Sequence, residues 1–143
     1  MTRLRPGWFV ALCAVVVAVS VWLPWLTTTF AGGGRASAIG GTVGSLVLSR
    51  GFGAGQLIVL LTSTLLVAGA MAARGLSAKL ASIGALTISI LIAALTAWYF
   101  HQYVSPPVSA GYGLFIGAAG AAGAICFSVW ALLDALLVDR AAR

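Results

Sequence analysis

The sequence predicts an all-α integral membrane protein: one domain of four transmembrane helices, with a glycine-rich extracytoplasmic loop between the first helix and the second. Three observations support this fold class. Hydrophobic residues make up 62% of the 143 residues and charged residues only 7%, whereas soluble domains average roughly 25% charged residues. Four apolar runs approach the ~20 residues that a helix needs to cross a bilayer. Within several of these runs, small residues recur at helical spacing, as is typical of helices that pack in lipid.

The first span is predicted over residues 8–25. Arg3 and Arg5 precede it, as basic residues precede a secretory signal, but no small-x-small cleavage site follows. The run ends instead in the segment Trp22-Leu23-Pro24-Trp25. We therefore expect this segment to be retained as a membrane helix.

Residues 27–55 are predicted to form the first outer loop. Glycine is so frequent there that a long regular helix is not expected, although residues 45–49 fit either a short strand or a short interfacial helix. The segment Gly51-x-Gly53-x-Gly55 lacks the preceding strand, the spacing and the later acid of a dinucleotide site, and it lacks the lysine of a P-loop. We expect a flexible loop that re-enters the membrane.

The other three spans are predicted over residues 56–73, 80–100 and 113–137. A short basic turn joins the second span to the third. Residues 101–112 form the second outer loop, in which two consecutive prolines stop helix continuation.

Very small residues follow one another along the fourth span. Glycines four residues apart let neighbouring helix backbones approach closely, so that van der Waals contact drives association in lipid. Two alanines extend this pattern to the third span. The predicted residues of helix packing and partner binding are Gly113, Gly117, Gly120, Gly123, Ala81 and Ala85.

Lysine and arginine are distributed unequally between the two sides of the predicted bundle. The outer loops contain Arg35 and Arg50, and the opposite side has six cations: Arg3, Arg5, Arg74, Lys79, Arg140 and Arg143. The positive-inside rule then predicts a multi-pass inner-membrane protein with both termini in the cytoplasm.

Aromatic residues gather at the predicted outer ends of the spans, where amphipathic rings lie at the level of the lipid headgroups. Together with the two outer arginines they form either an ordinary interfacial girdle or a contact surface for lipid. The predicted members are Trp22, Trp25, Arg35, Arg50, Trp98, Tyr99 and Tyr112.

Few residues in the chain can carry acid–base or metal chemistry. Asp134 and Asp139 are the two acids, near the inner end of the fourth span, and the single histidine, His101, lies at the outer end of the third. About 30 Å of hydrocarbon separates the two positions, so a Ser-His-Asp relay cannot form within one subunit. We expect no enzyme, no cofactor and no metal, and we expect Asp134 to form an interfacial ion pair with Lys79.

The predicted layout resembles claudin-like tetraspan proteins, but the first outer loop lacks the tryptophan and the cysteine pair of that family, so adhesion is not implied. The segments Trp22-Leu23-Pro24-Trp25 and Gly111-Tyr112-Gly113-Leu114 look like those of small four-span proteins of high-GC actinobacteria. Seven arginines to one lysine and abundant Ala, Gly and Val support this resemblance. It implies a fold but no activity.

From these patterns we expect an accessory or assembly subunit that binds other integral membrane proteins through its glycine row and first outer loop. Two alternatives stay open. One is a small homo-oligomeric channel or transporter with walls of Ser, Thr and backbone carbonyls. The other is a binder of a lipid or lipid-linked envelope intermediate. Nucleic acid is not an expected partner, because the cations do not form a continuous basic surface.

Overall fold

The structure is a computed structural model that describes residues 5–28, 32–37, 42–44, 54–103 and 108–143. It contains four helices, α1 (Pro6–Ser20), α2 (Ala54–Arg74), α3 (Ala78–Tyr103) and α4 (Tyr112–Ala141). The helices α2, α3 and α4 are long and apolar enough to cross a membrane, and α1 is a shorter apolar helix. This arrangement fits the predicted all-α class.

The four helices form a ring in which α1 and α3 each pack against both α2 and α4. Neighbouring helices run antiparallel, and a turn of three residues joins α2 to α3. Branched aliphatic side chains and small residues fill the centre of the ring. Its fully buried aliphatic members include Val10, Val17, Ile58, Leu65 and Ile92.

Helix α1 is shorter than the predicted span 8–25, because the helix ends at Ser20. The Ser20 carbonyl accepts a hydrogen bond from the Leu23 amide at 3.0 Å and another from the Trp25 indole N–H at 2.7 Å. Pro24 then stops helix continuation because it has no amide hydrogen. The 15 residues of α1 extend about 22 Å at 1.5 Å per residue.

The end of the predicted first span and parts of the two predicted outer loops form one small antiparallel sheet, which was not expected. Its strands are β1 (Pro24–Thr28), β2 (Gly34–Ser37), β3 (Thr42–Gly44) and β4 (Val108–Ala110), in the order β3-β2-β1-β4. The first loop is therefore not simply flexible in the residues described. Residues 45–49, for which a strand or a helix was predicted, lie outside the described residues.

Two glycines precede β2 in the connection from β1 to β2. Gly32 and Gly33 have φ angles of 92° and 91°, in a region of backbone conformation that residues with a Cβ atom rarely adopt. Leu26 in β1 pairs with Ala36 in β2 and with Ala110 in β4. Both Leu26 and Ala36 are buried in the core, so one face of the sheet closes the end of the bundle.

Trp25 connects this sheet to the helices. Its side chain is fully buried, and its ring forms a T-shaped pair with the Tyr99 ring, with ring centroids 5.1 Å apart. The Trp25 carbonyl accepts a hydrogen bond from the Gly111 amide at 2.7 Å, just before α4 begins. Trp25 thus contacts α1, α3 and the start of α4 at the end of the bundle that we call the sheet end.

The opposite end of the bundle carries most of the charged residues and is called the charged end. There, the Arg5 guanidinium donates a hydrogen bond to the Ala73 carbonyl at 3.1 Å. Because Arg5 precedes α1 and Ala73 is near the end of α2, residues 5–25 run from the charged end to the sheet end. This segment therefore connects the two ends of the bundle, although α1 itself, with 15 residues, is shorter than α2, α3 and α4.

Replacing Trp25 by alanine should lower the free energy of unfolding by about 3 kcal/mol, because it leaves a cavity beneath the sheet and removes the bond to Ser20. The matched control is Trp22→Ala, since the Trp22 side chain is 74% exposed, and it should change stability by less than about 0.5 kcal/mol. Thermal unfolding in one detergent compares the variants. Equal losses would contradict the core role of Trp25.

Candidate functional site

The glycine row of α4 packs against α1. A Cβ atom added to Gly117 would lie 2.8 Å from Ser20 Oγ and 2.8 Å from Trp25 Cζ2. The other three glycines are similarly crowded, with added Cβ atoms 2.8 to 3.0 Å from the nearest side-chain atoms. These pairs are Gly113 with Leu23, Gly120 with Val17 and Gly123 with Cys13.

This packing changes the role expected for the small residues. Because α1 occupies the face that the glycines form, that face has no room for a helix of another protein. Ala81 and Ala85 are also inside the bundle, with exposures of 7% and 1%. The predicted packing residues therefore lie at contacts within the chain, the glycines against residues 13–25 and the two alanines at buried positions of α3.

A second close approach joins α1 to α2. A Cβ atom on Gly7 would lie 2.6 Å from the Gly69 carbonyl oxygen and would also meet the Ala73 backbone. In the opposite direction, a Cβ atom on Gly69 would lie 2.9 Å from the Ala11 nitrogen. The only signal in the sequence is the pair Gly7/Ala11 at helical spacing, which matches Gly69/Ala73 on α2.

The hydroxyl groups within the long helices bond mainly to their own helix. Each donates to the carbonyl oxygen four residues earlier, a common arrangement for Ser and Thr in helices. The hydroxyls with this bond are those of Thr62, Ser63, Thr64, Ser82, Thr87, Ser89 and Thr96. Ser89 Oγ also lies 3.5 Å from Ser128 Oγ in the core between α3 and α4. The buried hydroxyls of Ser82, Ser89 and Thr96, seven positions apart along α3, thus donate their protons to the helix's own backbone.

The residues predicted as an outer girdle divide into an exposed group and a buried group. Trp22, Trp98 and Tyr112 are exposed by 74%, 60% and 57%. Trp25 and Tyr99 are not surface residues, since their exposures are 0% and 3%. Their burial follows from the sheet, which covers the end of the helices. Of the two predicted arginines, Arg35 is exposed on β2, and Arg50 lies outside the described residues.

Another aromatic group, which was not predicted, lies towards the charged end. Trp8 and Trp130 are each 48% exposed. Phe9 stacks on Phe127 with ring centroids 5.0 Å apart, and it also stacks on Trp130 at 6.1 Å. Tyr112 and Trp130 are 18 residues apart on α4, which corresponds to roughly 27 Å along the helix axis. Exposed aromatic residues therefore lie towards both ends of the bundle.

A groove of about 360 Å³ runs between α3 and α4 on the outside of the ring. We call it the α3–α4 groove. Small residues four positions apart line it on both helices, Ala93 and Ala97 on α3 and Ala118 and Ala122 on α4. Phe100 and Phe115 lie at its sheet end. Three of the four alanines are exposed and Ala93 is half-buried, so none of them is used up by packing within the chain.

A larger cavity, of about 630 Å³, opens at the charged end. Residues of all four helices line it, and its charged groups are Arg5, Lys79, Asp134 and Asp139. The predicted ion pair between Asp134 and Lys79 does not form, although both side chains line this cavity. Within the described part of the chain, the ion pair present is Arg143 with Asp139, at 3.5 Å.

Comparison with known proteins does not assign the chain to a family. It matches no protein-family model, no curated protein sequence and no solved structure. The α3–α4 groove and the charged-end cavity are therefore interpreted from their own geometry.

Replacing Gly117 by alanine should lower the free energy of unfolding by about 1 to 3 kcal/mol, because the new methyl group would overlap Ser20 and Trp25. Gly84 on α3 provides the matched control, because a Cβ atom there meets nothing within 4 Å. Gly84→Ala should leave stability unchanged or raise it by about 0.5 to 1 kcal/mol. Thermal unfolding in one detergent measures both variants, and a Gly117→Ala protein as stable as Gly84→Ala would argue against the α1–α4 packing.

Proposed function

We propose that this chain is a multi-pass inner-membrane protein that acts as an accessory or assembly subunit of a larger membrane complex. In this proposal, the α3–α4 groove binds a transmembrane helix of a different integral membrane protein. The proposal has three parts, namely the placement in the membrane, the orientation and the partner surface, and each has its own support.

Membrane placement is supported by the lengths and surfaces of the helices. Three helices are long and apolar enough to cross, and residues 5–25 run between the same two ends of the bundle. Exposed Tyr112 and Trp130 are separated by roughly 27 Å, close to the ~30 Å thickness of a bilayer's hydrocarbon core. Tryptophan and tyrosine favour both membrane interfaces. If the bundle crosses the bilayer four times, one aromatic group lies at each membrane interface.

Orientation is supported by the unequal distribution of cations. Six of the eight Lys and Arg residues of the sequence fall at the charged end or in the terminal segments that lead to it. Since cytoplasmic segments are enriched in these residues, the charged end is assigned to the cytoplasm and the sheet to the opposite side. Both termini are then cytoplasmic.

The partner surface rests on one observation, the unused small residues of the α3–α4 groove. Lipid supplies no hydrophobic drive for helix association, so close backbone contact over small residues is what stabilises helix pairs. The glycine row cannot supply this contact to a partner because α1 occupies it. The alanine pairs 93/97 and 118/122 line the groove on adjacent helices and are exposed, apart from the half-buried Ala93. A helix of another protein can therefore approach the α3 and α4 backbones closely along this groove.

The groove also indicates what kind of helix fits. Its lining contains no charged residue, and its one hydroxyl, that of Thr96, donates to the Ile92 carbonyl at 2.8 Å. The expected partner segment is therefore apolar and has small residues facing the groove. A channel function has less support, because the buried hydroxyls of α2 and α3 donate their protons to their own helix rather than to a pathway between helices.

Filling the groove should release the partner. In the double variant Ala118→Leu/Ala122→Leu, the added side chains occupy the space of the incoming helix, so co-purification of the partner should fall at least about tenfold, equivalent to ~1.4 kcal/mol. Ala119→Leu is the matched control, because Ala119 is exposed on the same helix but does not line the groove.

Site-specific photo-crosslinking identifies the occupant directly. A photoreactive residue at position 118 or 122 should give one discrete adduct with a different integral membrane protein, identified by mass spectrometry, and position 119 should give none. The same protein should be the one that the double leucine variant loses. Adducts only with a second copy of this chain, or only with lipid, would overturn the proposed partner.

A further inference from the structure

The charged-end cavity, which is open to the surface, is lined by residues of both signs of charge. Arg5 and Lys79 contribute cations, and Asp134 and Asp139 contribute carboxylates. The remaining lining is mostly small and apolar, including Ala131 and other alanines of α2, α3 and α4. Its volume of about 630 Å³ lies within the range of small-molecule sites in proteins.

The two carboxylates differ in their availability to a ligand. Asp139 is paired with Arg143 at 3.5 Å. Asp134 is half-buried and forms no ion pair with any residue that the structure describes. It lies more than a helical turn before Asp139 on α4, and the neighbouring Ser82 hydroxyl is already donated to the Ala78 carbonyl at 2.6 Å. Asp134 is therefore the carboxylate left available within the cavity.

The two cations are held differently. Arg5 keeps one guanidinium nitrogen on the Ala73 carbonyl, which fixes the group at the junction of α1 and α2 and leaves its other donors available. Lys79 extends from the first turn of α3 with an exposed side chain. Arg5 at the start of α1, Lys79 in the first turn of α3 and Asp134 on α4 all line this one cavity.

We infer that this cavity binds a phosphoethanolamine group, the headgroup of an aminophospholipid, with its phosphate on Arg5 and Lys79 and its ammonium on Asp134. Arginine and phosphate form strong charge-assisted hydrogen bonds. A primary ammonium carries three N–H donors, whereas the trimethylated ammonium of a choline headgroup carries none. The alanine lining accommodates the glycerol and the first methylene groups of the acyl chains.

This inference depends on the membrane placement proposed above but not on the α3–α4 groove. The groove lies between the outer faces of α3 and α4, and its lining residues are different from those of the cavity. Variants that fill the groove should therefore still bind the lipid headgroup, and variants of the cavity residues should still bind the partner protein. Failure of one proposal is distinguishable from failure of the other.

The test is a lipid titration of the purified full chain, followed by native mass spectrometry. Phosphatidylethanolamine, phosphatidylcholine and phosphatidylglycerol with identical acyl chains are compared. The ethanolamine lipid should bind at least about tenfold more tightly than the other two, as expected for one hydrogen-bonded charge pair. Asp134→Asn should abolish this preference, and the matched control Asp139→Asn should keep it.

Two further variants separate a lost contact from a misfolded protein. Asp134→Glu keeps a carboxylate and should retain part of the preference. Lys79→Gln should weaken the binding of all three lipids to the same extent, because each lipid has the phosphate group. Equal binding of the ethanolamine and choline lipids by the unmodified chain, or an unchanged preference in Asp134→Asn, would overturn the proposed site.

A soluble competitor determines the source of the headgroup. Glycerophosphoethanolamine has the same phosphate and ammonium but no acyl chains. It should displace the lipid only at concentrations far above that of the lipid, because it lacks the contacts with the alanine lining. Displacement at concentrations equal to the lipid's would overturn the assignment to a membrane lipid.

Discussion

The close approach of α1 and α4 over the glycine row is the constraint on which the rest of the fold depends. With side chains at these four positions, α1 would be displaced outward, and Ser20 and Trp25 would lose the space that they occupy beside Gly117. The ring of four helices would then be open between α1 and α4. In the membrane placement proposed above, the hydrophobic effect does not drive helices together, so close contact over the glycine row is what attracts α1 to α4.

Trp25 transmits that constraint to the sheet end. It fills the space above the glycine row, bonds to the Ser20 carbonyl and meets Tyr99 on α3, while its backbone forms part of the central strand β1. The sheet therefore covers the bundle as a fixed layer attached at several points. The internal contacts use the glycine face and the buried tryptophan. The α3–α4 groove and the charged-end cavity are two surfaces that these contacts leave open to other molecules.

Much of the helical architecture could be predicted from the sequence, because long apolar runs and their breaks are local features. Other features depend on distant partners. Trp25 ends an apolar run and so resembles an interfacial residue, and only the fold brings its indole N–H to Ser20 beneath a sheet. The sheet has strands of three to five residues, and the paired residues of β1 and β4 are 80 to 84 positions apart in the sequence. The same limit applies to the glycine row, because the pattern predicts close packing but does not reveal which helix packs there. It also applies to Asp134, because its distance from Lys79 depends on how the four helices surround the charged-end cavity.

Disulfide crosslinking from Cys13 tests the α1–α4 packing most directly. A Cβ atom at position 123 lies 3.0 Å from Cys13 Sγ, within the reach of a disulfide. In a Cys126→Ser background, Gly123→Cys should give an intrachain crosslink under mild oxidation in native membranes, detected after cleavage between α1 and α4, and Gly84→Cys should give none. Crosslinks only between separate chains, or no crosslink from position 123, would contradict the account, because the glycine row would then face something other than α1.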